Sequence, residues 1–408
     1  MIHLPRRRLL RALAAAPLAR LATAMPAIAA PAISLAGPTS AVPAAGDFVT
    51  PYRKLLVVVE LKGGNDGLNT FVPYADPAYY ALRPKLAIAR DAVVQLSDRG
   101  GLHPSLAPLE SLWYAGELAV LQGVGYPQPN LSHFRSIEIW DTASSSDEYV
   151  HDGWLARTFA ARPVPAAFAA DGVVVGSNDL GPLTGSSGGT RAIALSDPQQ
   201  FVRRAALAQP AATAGNSALA HILKVESDIV QARAHLAGSH AFRTAFTTDG
   251  FGNAVKTTCE LAANSAGVAA IRLSLGSFDT HVNQAGTQSR LLADLARGLA
   301  TLKAALTELG RWDDTLVLTY SEFGRRPKEN QSAGTDHGTS SVLFALGGRV
   351  TGGLYGAPPD LDDLRGDGNP RHALDFRSVY ATVLDRWWGV DSRGALGGRF
   401  EPVPFVRS

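Results

Sequence analysis

One cysteine, Cys259, in 408 residues excludes an intrachain disulfide and any metal cluster built from thiolates. A small, buried apolar side chain is the expected role for it. Charge is also sparse. Asp, Glu, Lys and Arg make up 18% of the chain, and no block of one sign stands out, which argues against a nucleic-acid partner and against a disordered polyelectrolyte. Beyond the N-terminal region no apolar run reaches the roughly 18 residues of a membrane helix. No Walker A loop, dinucleotide fingerprint or H-E-x-x-H zinc motif occurs. "GSSGG" (185–189) matches the letters G-x-S-x-G, but a nucleophile elbow needs a strand before it and a helix after it. Here the match sits in a Gly/Ser loop and is read as chance.

What is present begins with an N-terminus free of acids: "MIHLPRRRLLRALAAAPLARLATAMPAIAAPA". Arg6, Arg7 and Arg8, an Ala/Leu-rich stretch, and small residues around Ala27 to Ala30 form the three parts of a secretory signal. "RRRLLR" resembles a twin-arginine signal, so residues 1–35 are expected to direct export to the periplasm or beyond. Losing Arg6, Arg7, Arg8, Arg11 and Arg20 takes the formal charge from +2 to −3. Charge therefore points to no partner in the mature chain.

The rest of the chain, 46–408, reads as a single domain. Strand-like apolar runs occur at 55–60 ("LLVVVE"), 117–126, 268–281, 313–324 and 340–348, and helical periodicity at 105–116, 290–310 and 375–389. Alternation of the two predicts an α/β protein with a largely parallel sheet, its ligand site at the carboxyl ends of the strands. Polar clusters fall at those ends. Residues 142–265, Gly/Pro/Ser-rich and then helical, are expected as a partly helical cap or insertion.

Several residues could carry chemistry. Asp279 and His281 offer an oxygen and a nitrogen to a divalent cation; the competing reading is an acid that only caps the loop and orients the histidine. Glu322 follows another strand as a ligand or general base, with Arg325 and Arg326 available to hold an anion. A surface Arg–Glu pair is the plainer alternative. Ser132 stands at a predicted helix N-terminus, where it is an N-cap, an activated hydroxyl, or both. His133 and Arg135 beside it favour an anion site there. "AGTDHGTSS" contributes Asp336 and His337. His372, in a loop beside Arg371, is read as structural.

Together "VVVELKGGNDGLNTFVPY", "NLSHFRSIEIW", "GSFDTHVNQ" and "TYSEFGRRPKENQSAGTDHG" resemble the bacterial family known as domain of unknown function 1501, which is grouped with the alkaline phosphatase and sulfatase superfamily. The resemblance implies a three-layer sandwich around a mostly parallel sheet and a site for one or two metals. Carried over residue by residue, it implies Asp279, His281 and His337 for a zinc-type ion, with Asp336 orienting a neighbour. It implies a second, oxygen-rich site from Glu60 or Asp66, Ser132 and Glu322, suited to Mg, Ca or Mn, or lost, since Phe323 stands where that superfamily has a histidine. Ser132 would be the nucleophile, with Arg135 or Arg325 stabilising the oxyanion. The implied function is an exported metal-dependent hydrolase of phosphate or sulfate esters, acting on a small molecule, a lipid or a polysaccharide. The alternative is a secreted binding or assembly protein that keeps the fold without the chemistry.

Overall fold

Leu55–Leu61 is buried at all seven positions, as a β-branched apolar run covered on both faces must be. This strand is the middle of the molecule. The structure, a computed structural model, describes residues 50–186, 189–196 and 240–407. The expected export signal and residues 197–239 of the expected insertion lie outside those residues. In chain order the strands are β1 (Leu55–Leu61), β2 (Phe71–Val72), β3 (Val94–Gln95), β4 (Gly101–Leu102), β5 (Leu118–Gly125), β6 (Ala170–Val175), β7 (Ala192–Leu195), β8 (Val268–Leu275), β9 (Thr315–Tyr320), β10 (Gly324–Arg325), β11 (His337–Gly338), β12 (Ser341–Leu346), β13 (Gly353–Tyr355) and β14 (Leu374–Asp375).

Nine of them form one sheet in the order β13-β5-β12-β9-β1-β8-β6-β7, with β14 also on β5. Only β12 runs antiparallel to its neighbours, β5 and β9; every other pairing in this sheet is parallel. Alternate residues of β1 enter two different cores. Leu55, Val57, Val59 and Leu61 pack with the helices Gly250–Ala262 and Gln284–Glu308. Leu56 and Val58 pack on the other face with the helices His133–Thr142 and Trp154–Ala161 and the segment Phe376–Trp388. Helix, sheet and helix make three layers, as expected of the α/β class.

The expected boundaries of the insertion change in one respect. Residues 142–265 are not all cap: β6 and β7 lie within them and extend the central sheet beyond β8. "ADGVVV" is short and sits between a Pro/Ala-rich loop and a Gly/Ser turn, so its strand character is hard to separate from the surrounding loop.

The strand order also explains where the loops meet. β1, β8 and β9 are adjacent and parallel, so the loops after them open on one rim. β12 is antiparallel, so the loop before it opens on that rim as well. Two glycines allow the closest approach. Gly63 (φ +116°) and Gly64 (φ +84°) follow β1 in a region that favours glycine. A Cβ at Gly63 would lie 2.4 Å from the Asp279 amide nitrogen, and one at Gly64 would lie 2.4 Å from the Phe323 ring.

Beneath the helix His133–Thr142 a charged network is buried in the sheet. Arg272 Nη2 donates to Glu60 Oε2 at 2.7 Å and its Nε donates to Tyr320 Oη at 3.1 Å. Tyr320 in turn reaches Asp141 at 3.5 Å. Burial pushes the Asp141 carboxyl up to about 8 against the pull of Arg272. The folded chain therefore holds a proton that the unfolded chain releases above its ordinary value of 3.8. Stability from this group is full below that value and is lost as pH rises through about 8. Asp141→Asn removes the effect: denaturant unfolding from pH 5 to pH 9 should show the variant gaining stability relative to the wild type as pH rises, and a constant difference would refute the assignment.

Candidate metal centre

Four side chains from two loop regions and one helix end converge at the rim. Asp279 follows β8, four residues past its end at Leu275; the strand is thus shorter than the expected 268–281. His281 lies in the same loop, and His337 lies in the ribbon β10–β11, paired in register with Arg325. His133 is the first residue of the helix His133–Thr142. That helix is fixed by Ser136, whose hydroxyl donates to the Glu322 carbonyl. Three residues apart on a helix share a face, so His133 meets the Glu322 side chain.

The donor atoms are close. His133, Asp279 and His337 each place one ligand atom within 4.8 Å of the others. His281 Nε2 joins them, 3.0 Å from Asp279 Oδ1 and 3.0 Å from His337 Nε2. His337 Nε2 is 3.2 Å from Asp279 Oδ1, and His133 Nε2 is 3.4 Å from Asp279 Oδ2.

Each imidazole is held by its other nitrogen. His337 Nδ1 donates to the Leu131 carbonyl at 2.8 Å, His133 Nδ1 to Glu322 Oε1 at 2.9 Å, and His281 Nδ1 faces Asp336 Oδ1 at 3.5 Å. A carbonyl or a carboxylate can only accept, so Nδ1 of His133 and of His337 carries a hydrogen; in the neutral ring Nε2 then presents a lone pair, and only a protonated His337 donates from Nε2 to Asp279. Outer oxygens that orient histidines in this way are the usual surroundings of metal-ligating imidazoles. Burial lowers the His337 pKa and favours its neutral form, although the Leu131 carbonyl and Asp279 act to raise it. Two unprotonated Nε2 atoms 3.0 Å apart beside a carboxylate repel one another. A cation among them removes that repulsion, and the donor set of three nitrogens and one carboxylate suits zinc better than Mg or Ca.

Asp279 is itself positioned. Arg325 Nη2 donates to its Oδ1 at 2.7 Å; the same buried guanidinium donates to the carbonyls of Gly63, Gly64, Phe278 and Thr335, and its Nη1 lies 3.5 Å from His281 Nε2. Partial burial acts to raise the Asp279 carboxyl, but the bonds from Arg325 and His337 outweigh it and hold it down at about 2. The group stays ionised across the physiological range.

Other expected site residues have different partners. Glu60 is engaged with Arg272 below the helix. Asp66 is fully buried, pairs with Arg83 Nη1 at 2.6 Å, accepts from Gln284, and caps the short helix Gly67–Thr70. Arg135 turns away: it donates to the carbonyls of Ser145, Ser146 and Glu148 and stacks on Tyr149 at 3.9 Å. Glu322 is at the centre but orients His133 and accepts from the Gly63 amide at 2.8 Å. These acids do not form a second, oxygen-rich site: among the described residues His133, Asp279 and His337 are the one grouping of three or more acids, histidines or cysteines suited to an ion. Buried Phe323 packs its ring 4.3 Å from His337 and 4.9 Å from His133, centroid to centroid. His372 packs against Gly125. Cys259 is fully buried, and burial pushes its thiol up to about 12, so it is inert.

His133 is the residue that sequence reasoning undervalues as a ligand. Its signal is the pairing of His133 with Ser136 one turn on, beside a strand-end acid. Ser132, in contrast, is exposed, and its hydroxyl makes no capping bond to the helix.

The fold and centre thus define an α/β protein with an imidazole–carboxylate cage at the carboxyl rim of its sheet. Over residues 53–396 the chain matches the family described as "Protein of unknown function (DUF1501)", and it belongs to that family. No curated protein matches it. Among solved structures it is similar to the phosphonate monoester hydrolase SpPMH from Silicibacter pomeroyi, at 12% identity and TM-score 0.42, over 84% of this chain and 75% of that one. It is also similar to the PsFucS1 sulfatase from Pseudoalteromonas sp., at 11% identity and TM-score 0.37, and to a mutant of TAB5 alkaline phosphatase with Mg bound, at 11% identity and TM-score 0.36. Those two likenesses cover 86% and 75% of this chain and 70% and 94% of the respective partners.

The hydrogen bond from His133 to Glu322 gives a direct check. Glu322→Gln removes the acceptor charge that sets the ring, and zinc affinity measured by competition with a chromogenic chelator should fall about 10- to 100-fold. An unchanged affinity would place His133 outside the cage.

Proposed function

We propose that the protein is an exported, single-metal hydrolase of phosphate or sulfate esters. The observation that carries this reading is the cage of three oriented Nε2 atoms and the Asp279 carboxylate beside the free N-terminus of the helix His133–Thr142. His133, His281, His337 and Asp279 would hold the ion, which when bound would neutralise charge on a substrate oxygen and activate a hydroxyl or water. Arg272, Arg83 and Phe323 support one ion rather than two, because they occupy or fill the places where further ligands would be needed.

This chain's own groups supply the rest. The first-turn amides of the helix have no intrahelical acceptors, and they face the same end as His133. With no side-chain cap they are free to bind an oxyanion. Ser132 Oγ attacks the phosphorus or sulfur of the ester, the bond to the leaving oxygen breaks, and the serine proton goes to the departing alkoxide. Water then cleaves the seryl ester and restores the hydroxyl. Arg325 acts as a positioning residue, fixing Asp279 and the glycine loop, with no free arm for substrate.

One observation favours the alternative of a binding or assembly protein without turnover: Arg135 and Arg325, the two expected oxyanion guanidinia, are both taken up by backbone carbonyls. Elemental analysis joined to kinetics separates the readings. The hydrolase reading expects about one zinc-type ion per chain, its loss in the double variant His281→Ala, His337→Ala, and turnover of an aryl phosphate or sulfate that disappears in Ser132→Ala. Bound ion without turnover of any ester supports the binding reading, and absence of a bound divalent ion would overturn the hydrolase reading.

A further inference from the structure

Five large apolar side chains are exposed on the described surface, and two of them, Phe134 and Val282, are next in the chain to cage histidines. Phe134 is 89% exposed and Val282 is 59% exposed. Phe134 directly follows His133, and Val282 directly follows His281. The third histidine, His337, is held by the backbone of another apolar residue, the half-buried Leu131. Single exposed apolar residues are ordinary and call for no explanation. Here each clustered imidazole has an apolar neighbour, and the neighbours of two are among the most exposed on the protein.

Neither side chain serves the fold. Phe134 lies in the first turn of its helix, where a β-carbon bearing an aromatic ring gains nothing in helix propensity, and it joins none of the buried cores. The adjacent Arg135 points the opposite way, into the loop 145–149. Val282 stands in the turn before the helix Gln284–Glu308. Two or three side chains are too few for a stable protein interface, which needs on the order of 1,000 Å². They are enough for one alkyl or aryl group.

We infer that Phe134 and Val282 form an apolar lip to the site and that its ligand is an amphiphile: an anionic phosphate or sulfate head at the imidazole–carboxylate cage, joined to an alkyl or aryl group lying on the lip. The occupant follows from continuity. Negative charge is complementary to a bound cation and to the free amides of the helix end, while the exposed residues that follow His133 and His281 in the chain, Phe134 and Val282, are apolar. The inference rests on the ester reading above and adds the chemistry of the leaving group. Specificity would come from Phe134 and Val282, since the head is common to all such esters.

The test is isothermal titration of the full zinc-loaded chain with inorganic phosphate and with alkyl phosphonates from methyl to octyl, in the wild type and in the double variant Phe134→Ser, Val282→Ser. Both residues are exposed, so the variant keeps its cores. The wild type should bind the octyl probe at least about tenfold more tightly than the methyl probe, each protein being referred to its own affinity for phosphate. That gain should vanish in the variant. Phosphate binding with no dependence on chain length, or a dependence that survives in the variant, would overturn the lip and leave the ester reading standing. Failure of phosphate and of every phosphonate to bind would overturn both.

Discussion

The constraint on which the site depends is that two imidazole Nε2 atoms face each other at 3.0 Å, next to one carboxylate oxygen. Neutral rings with hydrogens fixed on Nδ1 cannot bond to one another through Nε2; they need a proton or a cation between them. Burial favours neutral His337, against the Leu131 carbonyl and Asp279, which act to raise it. Leu131, Glu322 and Asp336 hold the outer nitrogens in place, so the rings are aimed before anything binds.

That aim is inherited from the sheet. Parallel β1, β8 and β9 deliver the glycine loop, Asp279 and Glu322 to one rim, and the reversed direction of β12 brings the preceding His337 loop to the same place. The helix carrying His133 is locked by Ser136 onto Glu322. Below it, a buried Arg272–Glu60 ion pair is bonded through Tyr320 to Asp141, between sheet and helix. Uncompensated, either charge of that pair would be costly in the interior, so the network ties the helix bearing His133 to the central strands.

Much of the architecture is legible in the sequence. "LLVVVE", "ELAVLQGVG", "VAAIRLSL" and "DDTLVLTY" announce buried strands because β-branched and apolar runs of that length have few other uses. β6 and β7 are hidden because short strands among Gly, Ser and Pro resemble their loops. At the site, Asp279, His281 and His337 are legible as acid and imidazole at strand-loop junctions. Glu60 and Asp66 look the same by that criterion, and what distinguishes them lies far along the chain: Arg272 is 212 residues from Glu60. A strand-end acid reads as a ligand until the arginine that neutralises it is seen. His133 is the converse case, since its role depends on the Glu322 side chain 189 residues away.

The central claim is that an ion is held by imidazole nitrogen and carboxylate oxygen together. X-ray absorption at the zinc edge, on the zinc-loaded full chain, addresses it without relying on turnover. The account expects a nitrogen and oxygen shell of about four to five atoms at about 2.0–2.2 Å with the outer scattering of several imidazole rings. A shell of oxygen alone, lacking imidazole scattering, would contradict it.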